Sequence, residues 1–115
     1  MRVTGKQVKP KQMTIKVAGV KYVVEFRHMD DYGITFLDKC RIYIKNDLKL
    51  EIQRETLIHE IFHVIVERKM KYTFENVGDI SSVDKLEHLI IDPLACEIHT
   101  VLKGNKKLRG FLYGN

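Results

Sequence analysis

His59, Glu60 and His63 stand in the run His59-Glu60-Ile61-Phe62-His63. On a helix, a spacing of four turns the second side chain only about 40° from the first and puts their β-carbons about 5–6 Å apart. Both imidazoles can then hold one metal ion. Zinc is the expected ion, because it accepts neutral imidazole and carboxylate in a tetrahedral shell, whereas magnesium and calcium favour oxygen-only shells. Glu60, beside the pair, is placed to take a proton from a water activated by the metal, which is the chemistry of peptide-bond hydrolysis. With five His and eight Glu among 115 residues, the pattern is expected by chance only about 0.015 times. The competing account, two histidines packed in an apolar helix, leaves several polar groups to be satisfied in a small core.

Positioning such a site needs a helix, and the sequence supplies one. From about Leu50, the residues Ile52, Leu57, Ile58, Ile61, Phe62, Ile65 and Val66 recur at spacings of three and four, the signature of an amphipathic helix. It is expected to fray near Lys69 to Lys71, with residues 72–80 as a connection. Before it, Met13 to Arg27 alternates apolar and polar residues around Ala18-Gly19, which predicts a β-hairpin. Asp30-Asp31-Tyr32-Gly33 reads as a turn, and Ile34 to Leu37 and Arg41 to Ile44 as further strands. A second helix, capped by Ser81 or Ser82, carries Val83, Leu86, Ile90, Leu94, Ile98 and Val101 on one face and stops near Gly104-Asn105. Pro93 predicts a kink in it, or a break with Asp92 as cap. Residues 108–115 are too short and mixed a stretch to predict an element. The fold class expected is α+β: a small, mostly antiparallel sheet of three or four strands on two main helices.

The chain has 44% hydrophobic and 30% charged residues, enough for one modest core, so residues 1–115 are read as a single domain. Its first ten residues lack the apolar core of a secretory signal, and no apolar run approaches the roughly 20 residues of a membrane helix. Two cysteines, Cys40 and Cys96, make neither a disulfide framework nor a thiolate metal site and read as small buried hydrophobes. Together these features predict a cytoplasmic protein without a membrane partner. Net charge is +5, with Lys6, Lys9 and Lys11 near one end and Lys103, Lys106, Lys107 and Arg109 near the other. No stacking aromatics are interleaved with them, so solvated ends are expected rather than a nucleic-acid surface.

The stretch Glu55 to Ile65, preceded by Cys40-Arg41-Ile42-Tyr43-Ile44, resembles small zincin-like proteins of phages and mobile elements, which are similar to ImmA/IrrE-type metallopeptidases and other minimal gluzincins. The resemblance spans roughly residues 13 to 105, and its specific part is the zinc motif. It implies a sheet on two helices, with the last strand before the motif helix lying beside the substrate cleft, and a third zinc ligand from the second helix. In these families that ligand is usually a Glu followed by hydrophobic residues, which Glu87-His88-Leu89-Ile90 matches. At 100° per residue Glu87 falls among Ile90, Leu94 and Ile98, where a carboxylate needs a partner such as zinc. Counting back from Leu94-Ala95-Cys96-Glu97-Ile98 gives His88 instead, and Asp92 is a third candidate, so the order is Glu87, His88, Asp92. His88, His99, Tyr72 and Tyr113 are chemically able to stabilise an oxyanion. His28 lies outside any motif.

The expected function is zinc-dependent hydrolysis of a peptide bond in a protein or peptide substrate, with His59, His63 and Glu87 on zinc and Glu60 as general base. The alternative, from a different class, is a zincin-fold binding module or regulator that keeps zinc and has little or no activity. Glu60 argues for the enzyme, since a structural zinc is closed by four protein ligands and has no use for a base.

Overall fold

The computed structural model describes residues 11–76 and 83–114. The alternation from Met13 to Arg27 becomes a hairpin of β1 (Lys11–Val17) and β2 (Val20–Arg27), closed by a two-residue turn between the paired Val17 and Val20. Ala18 and Gly19 have φ of 54° and 78°, and positive φ at both positions is what a turn matching the twist of the two strands demands. Ile15 and Val17 on β1, and Tyr22, Val24 and Phe26 on β2, are buried on one face.

β3 (Gly33–Phe36) and β4 (Arg41–Lys45) complete a sheet ordered β1-β2-β4-β3. β1 and β2 run antiparallel, as do β3 and β4, but β4 pairs with β2 in parallel. The sheet is therefore mixed, and not antiparallel throughout. Apolar alternation says which side chains face the core and is silent on which strands become neighbours. Here β3 goes to the far edge and β4 enters the gap beside β2. Ile42 and Ile44 extend the buried face, in register with Val24 and Phe26. Directly paired residues share a face, so Gly33 and Thr35, paired with Ile44 and Ile42, also face the helices.

The motif helix α1 (Leu50–Ile65) lies across this face against β3, β4 and β1. It follows β4 closely, and Gln53 Nε2 donates back to the carbonyls of Lys45 and Asn46 at 3.3 and 3.2 Å. Leu57, Ile61, Val64 and Ile65 are buried, each side chain contributing about 1.5–3 kcal/mol of hydrophobic stabilisation. The helix does not fray at Lys69 to Lys71: a widened π turn (Val66–Met70) carries it into α2 (Lys71–Asn76). Within that turn Met70 is buried, and Arg68 donates to the Tyr22 hydroxyl and, at 3.0 Å, to the Leu37 carbonyl. The tyrosine contact raises the Arg68 pKa, so its charge is constant.

The second helical run is α3 (Val83–Leu86), a π turn (Glu87–Ile91) and α4 (Asp92–Gly104). Pro93 lacks an N–H and its ring crowds the carbonyl four residues back; the preceding widened turn relieves that conflict. The N-cap position of α4 falls on Ile91, and Asp92 is already in helical conformation, so Asp92 is not the cap. Its carboxylate lies 3.7 Å from His88 Nδ1. The expected caps Ser81 and Ser82, and the basic residues Lys6 and Lys9, lie outside the described residues. A third run, α5 (Lys106–Tyr113), occupies the last stretch, where the sequence predicts no element. It buries Leu108, sets Phe111 against Phe26 at 5.3 Å between centroids, and accepts a 2.8 Å bond from Arg54 Nε at the Phe111 carbonyl. Arg109, expected as part of a solvated end, instead donates to the Leu102 and Lys103 carbonyls at 2.7 and 2.9 Å. That satisfies groups a helix C-terminus leaves open. Among the described residues, no helix is long and apolar enough to cross a membrane.

Candidate metal centre

On α1 the 100° step between consecutive residues sends His59 and Glu60 to different surroundings. His59 and His63 are exposed, while Glu60 is only 7% exposed and points to the sheet. One turn apart, the two rings stand with centroids at 4.6 Å, and their Nε2 atoms face each other at 2.9 Å. Among the described residues, His59, Glu60 and His63 form the group of metal-capable side chains whose donor atoms all lie within 4.8 Å of one another. Two imidazole nitrogens open to solvent on one rigid turn, with a carboxylate at their side, suit zinc in donor type.

The burial of Glu60 is made tolerable by β3. Thr35 Oγ1 donates to Glu60 Oε1 at 2.7 Å, a normal length for a hydroxyl donor on an oxygen acceptor. Gly33, two residues earlier on the same face, lets the strand come close. A β-carbon there would stand 2.6 Å from Thr56 Cγ2 and 3.3 Å from both Cγ and Oε2 of Glu60. Between this strand and α1 opens a cleft of about 490 Å³ lined by Asp31, Tyr32 and Gly33 on one side and Ile52, Glu55, Thr56, His59 and Glu60 on the other. The strand beside the cleft is thus β3, and not β4, the last strand before the motif helix, which is internal to the sheet. Gly33 and Thr35 escaped sequence reasoning. Their signal is a strand whose helix-facing positions are glycine and threonine instead of apolar residues, and it becomes readable once β3 is placed at the edge.

Other candidates are dispersed. Glu87 is exposed in the π turn and is not part of the histidine group. A π turn advances each residue by less than the 100° of an α-helix, so the wheel that sets Glu87 among Ile90, Leu94 and Ile98 does not hold across residues 87–91. Ile90 is buried there, while Leu86, Leu89 and Ile91 are partly exposed. His88 and Asp92 pair with each other, and both are exposed. His28, His99 and Tyr113 are exposed and do not line the cleft; the side chain of Tyr72 lies outside what the structure describes. Cys40 and Cys96 are free thiols, half-buried and exposed. Cys40 sits at φ 55° in the β3–β4 turn, its Sγ 3.7 Å from the Leu37 carbonyl.

No family model, no curated protein and no solved structure matches this chain.

Proposed function

We propose that the protein is a zinc-dependent peptidase that hydrolyses a peptide bond in a protein or peptide substrate. The observation that carries this reading is the convergence of the His59 and His63 Nε2 atoms beside a buried Glu60, with His59 and Glu60 lining the cleft. His59 and His63 would hold the metal, and Glu87 is the proposed third protein donor, on the resemblance of its sequence context. Zinc bound there supplies an acidic water and a Lewis acid for the scissile carbonyl.

The chain's own residues do the rest. Glu60 accepts the proton of the attacking water and returns it to the leaving amine. Its burial keeps the carboxylate apart from bulk water, where it acts more strongly on the reacting atoms. The cleft between Gly33 and His59 opens at the start of β3, an edge strand with no second strand neighbour among the described residues, so an extended segment of substrate would be able to bond there as an added strand. Membrane and nucleic-acid partners are not part of the proposal. The test is a proteome-derived peptide library incubated with zinc-loaded and zinc-stripped protein. New peptide termini produced only by the loaded form support the reading, and none from either form supports a zinc-holding binding module instead.

A further inference from the structure

We infer that Thr35 is a positioning residue for Glu60, fixing one carboxylate oxygen so that the other, beside the bare Cα of Gly33, is the proton acceptor in hydrolysis. The inference rests on the peptidase reading. In the sheet register Thr35 pairs with Ile42 and Gly33 with Ile44, so both face α1. The Thr35 hydroxyl takes Oε1 at 2.7 Å, and Oε2 lies 3.3 Å from where a Gly33 β-carbon would stand. The two oxygens therefore have different surroundings. A glutamate side chain free in all its torsions would present either oxygen in many orientations, and a general base works only within hydrogen-bond reach of the proton it takes.

Water forms a bond from its oxygen to the carbonyl carbon while one proton passes to Glu60 Oε2. As the C–N bond breaks, that proton moves to the amine nitrogen, which leaves with its electron pair, and the carboxylate is regenerated. Thr35 keeps its own proton throughout and touches no reacting atom. A role in merely satisfying a buried carboxylate predicts different behaviour, because removing the hydroxyl would then lower stability and leave turnover per folded molecule unchanged.

The experiment uses the full chain loaded with zinc, as wild type, Thr35→Val and Thr35→Ser, on the best-cleaved peptide from the library. Losing one hydrogen bond to a charged group predicts a kcat lower by about tenfold to a hundredfold in Thr35→Val, with KM within about twofold. Thr35→Ser should recover to within about threefold of wild type, because it keeps the hydroxyl. Should Thr35→Val fail to fold, Thr35→Ala carries the same expectation. A second readout needs no turnover: the side-chain carboxylate ¹³C resonance of Glu60 in the metal-free protein, assigned by its loss in Glu60→Gln, moves in Thr35→Val and returns in Thr35→Ser. If wild type cleaves and Thr35→Val matches it in kcat, or the resonance stays put, the positioning role alone is overturned. Wild-type protein that holds zinc and cleaves nothing removes the peptidase reading and this inference with it.

Discussion

The Nε2 atoms of His59 and His63 face each other at 2.9 Å across one turn of α1, with their ring planes 78° apart. Two imidazole nitrogens on a tetrahedral zinc, each bonded at about 2.0–2.1 Å, stand about 3.3 Å apart. An opening of a few tenths of an ångström therefore converts the facing pair into a bidentate site. We predict one zinc per chain, with His59→Ala and His63→Ala each weakening binding by at least about a hundredfold, as measured by competition with a chromophoric chelator. Wild-type protein that stays metal-free when zinc is supplied would remove the site.

Glu87→Ala is expected to weaken zinc binding as well, since a catalytic zinc site takes three protein ligands. His88→Ala and Asp92→Ala, measured beside it by the same competition, should bind as wild type does. If Glu87→Ala binds zinc as tightly as the parent while one of the other two does not, the third donor is reassigned to that residue.

Gly33→Ala forces a β-carbon to within 2.6 Å of Thr56 Cγ2. Either the Thr56 side chain turns aside or the strand moves away from the helix, which costs about 1–3 kcal/mol in thermal or urea unfolding. Adding Thr56→Ala removes the clashing methyl group, so the double variant should recover part of the loss. Simple additivity of the two changes would show that this close approach is not what Gly33 provides.

The face each strand turns to the core is legible in the amino-acid sequence, because Ile15, Tyr22, Val24, Ile42 and Ile44 follow period two and the apolar residues of α1 follow spacings of three and four. Strand order is not. The parallel pairing of β2 with β4 is set by contacts between distant segments, and the local pattern of Arg41 to Ile44 reads the same beside either neighbour. Nor are the π turns legible, since Val66 to Met70 and Glu87 to Ile91 have ordinary helical compositions, and that hides both the continuation past Lys69 and the exposure of Glu87. The histidine pair is legible because its geometry is local to one helical turn. The Thr35–Glu60 contact spans 25 positions and two elements, so it emerges only with the fold.

Asn105, 8% exposed, joins α4 to the edge strand β1. Its Oδ1 accepts from Lys16 N–H at 2.7 Å, and its Nδ2 donates to the carbonyls of Lys16 and Val101 at 2.8 and 2.7 Å. Asn105→Leu leaves three backbone groups without these partners, and a loss of about 3 kcal/mol is expected from urea unfolding. Asn105→Asp should lose nearly as much, because a carboxylate cannot donate to the two carbonyls. An unfolding midpoint unchanged in both variants would show that this clamp does not hold the edge strand.

The proposed role of Glu60 as the base of a zinc peptidase is decided by the turnover of Glu60→Gln on the cleaved peptide, with zinc content measured on the same sample. The amide keeps the shape of the side chain and can still accept the Thr35 hydroxyl bond, but it cannot take a proton from water. The prediction is one zinc per chain, an unchanged fold and a kcat lower by at least about a hundredfold. Glu60→Gln that holds its zinc and cleaves at the wild-type rate would exclude Glu60 as the base.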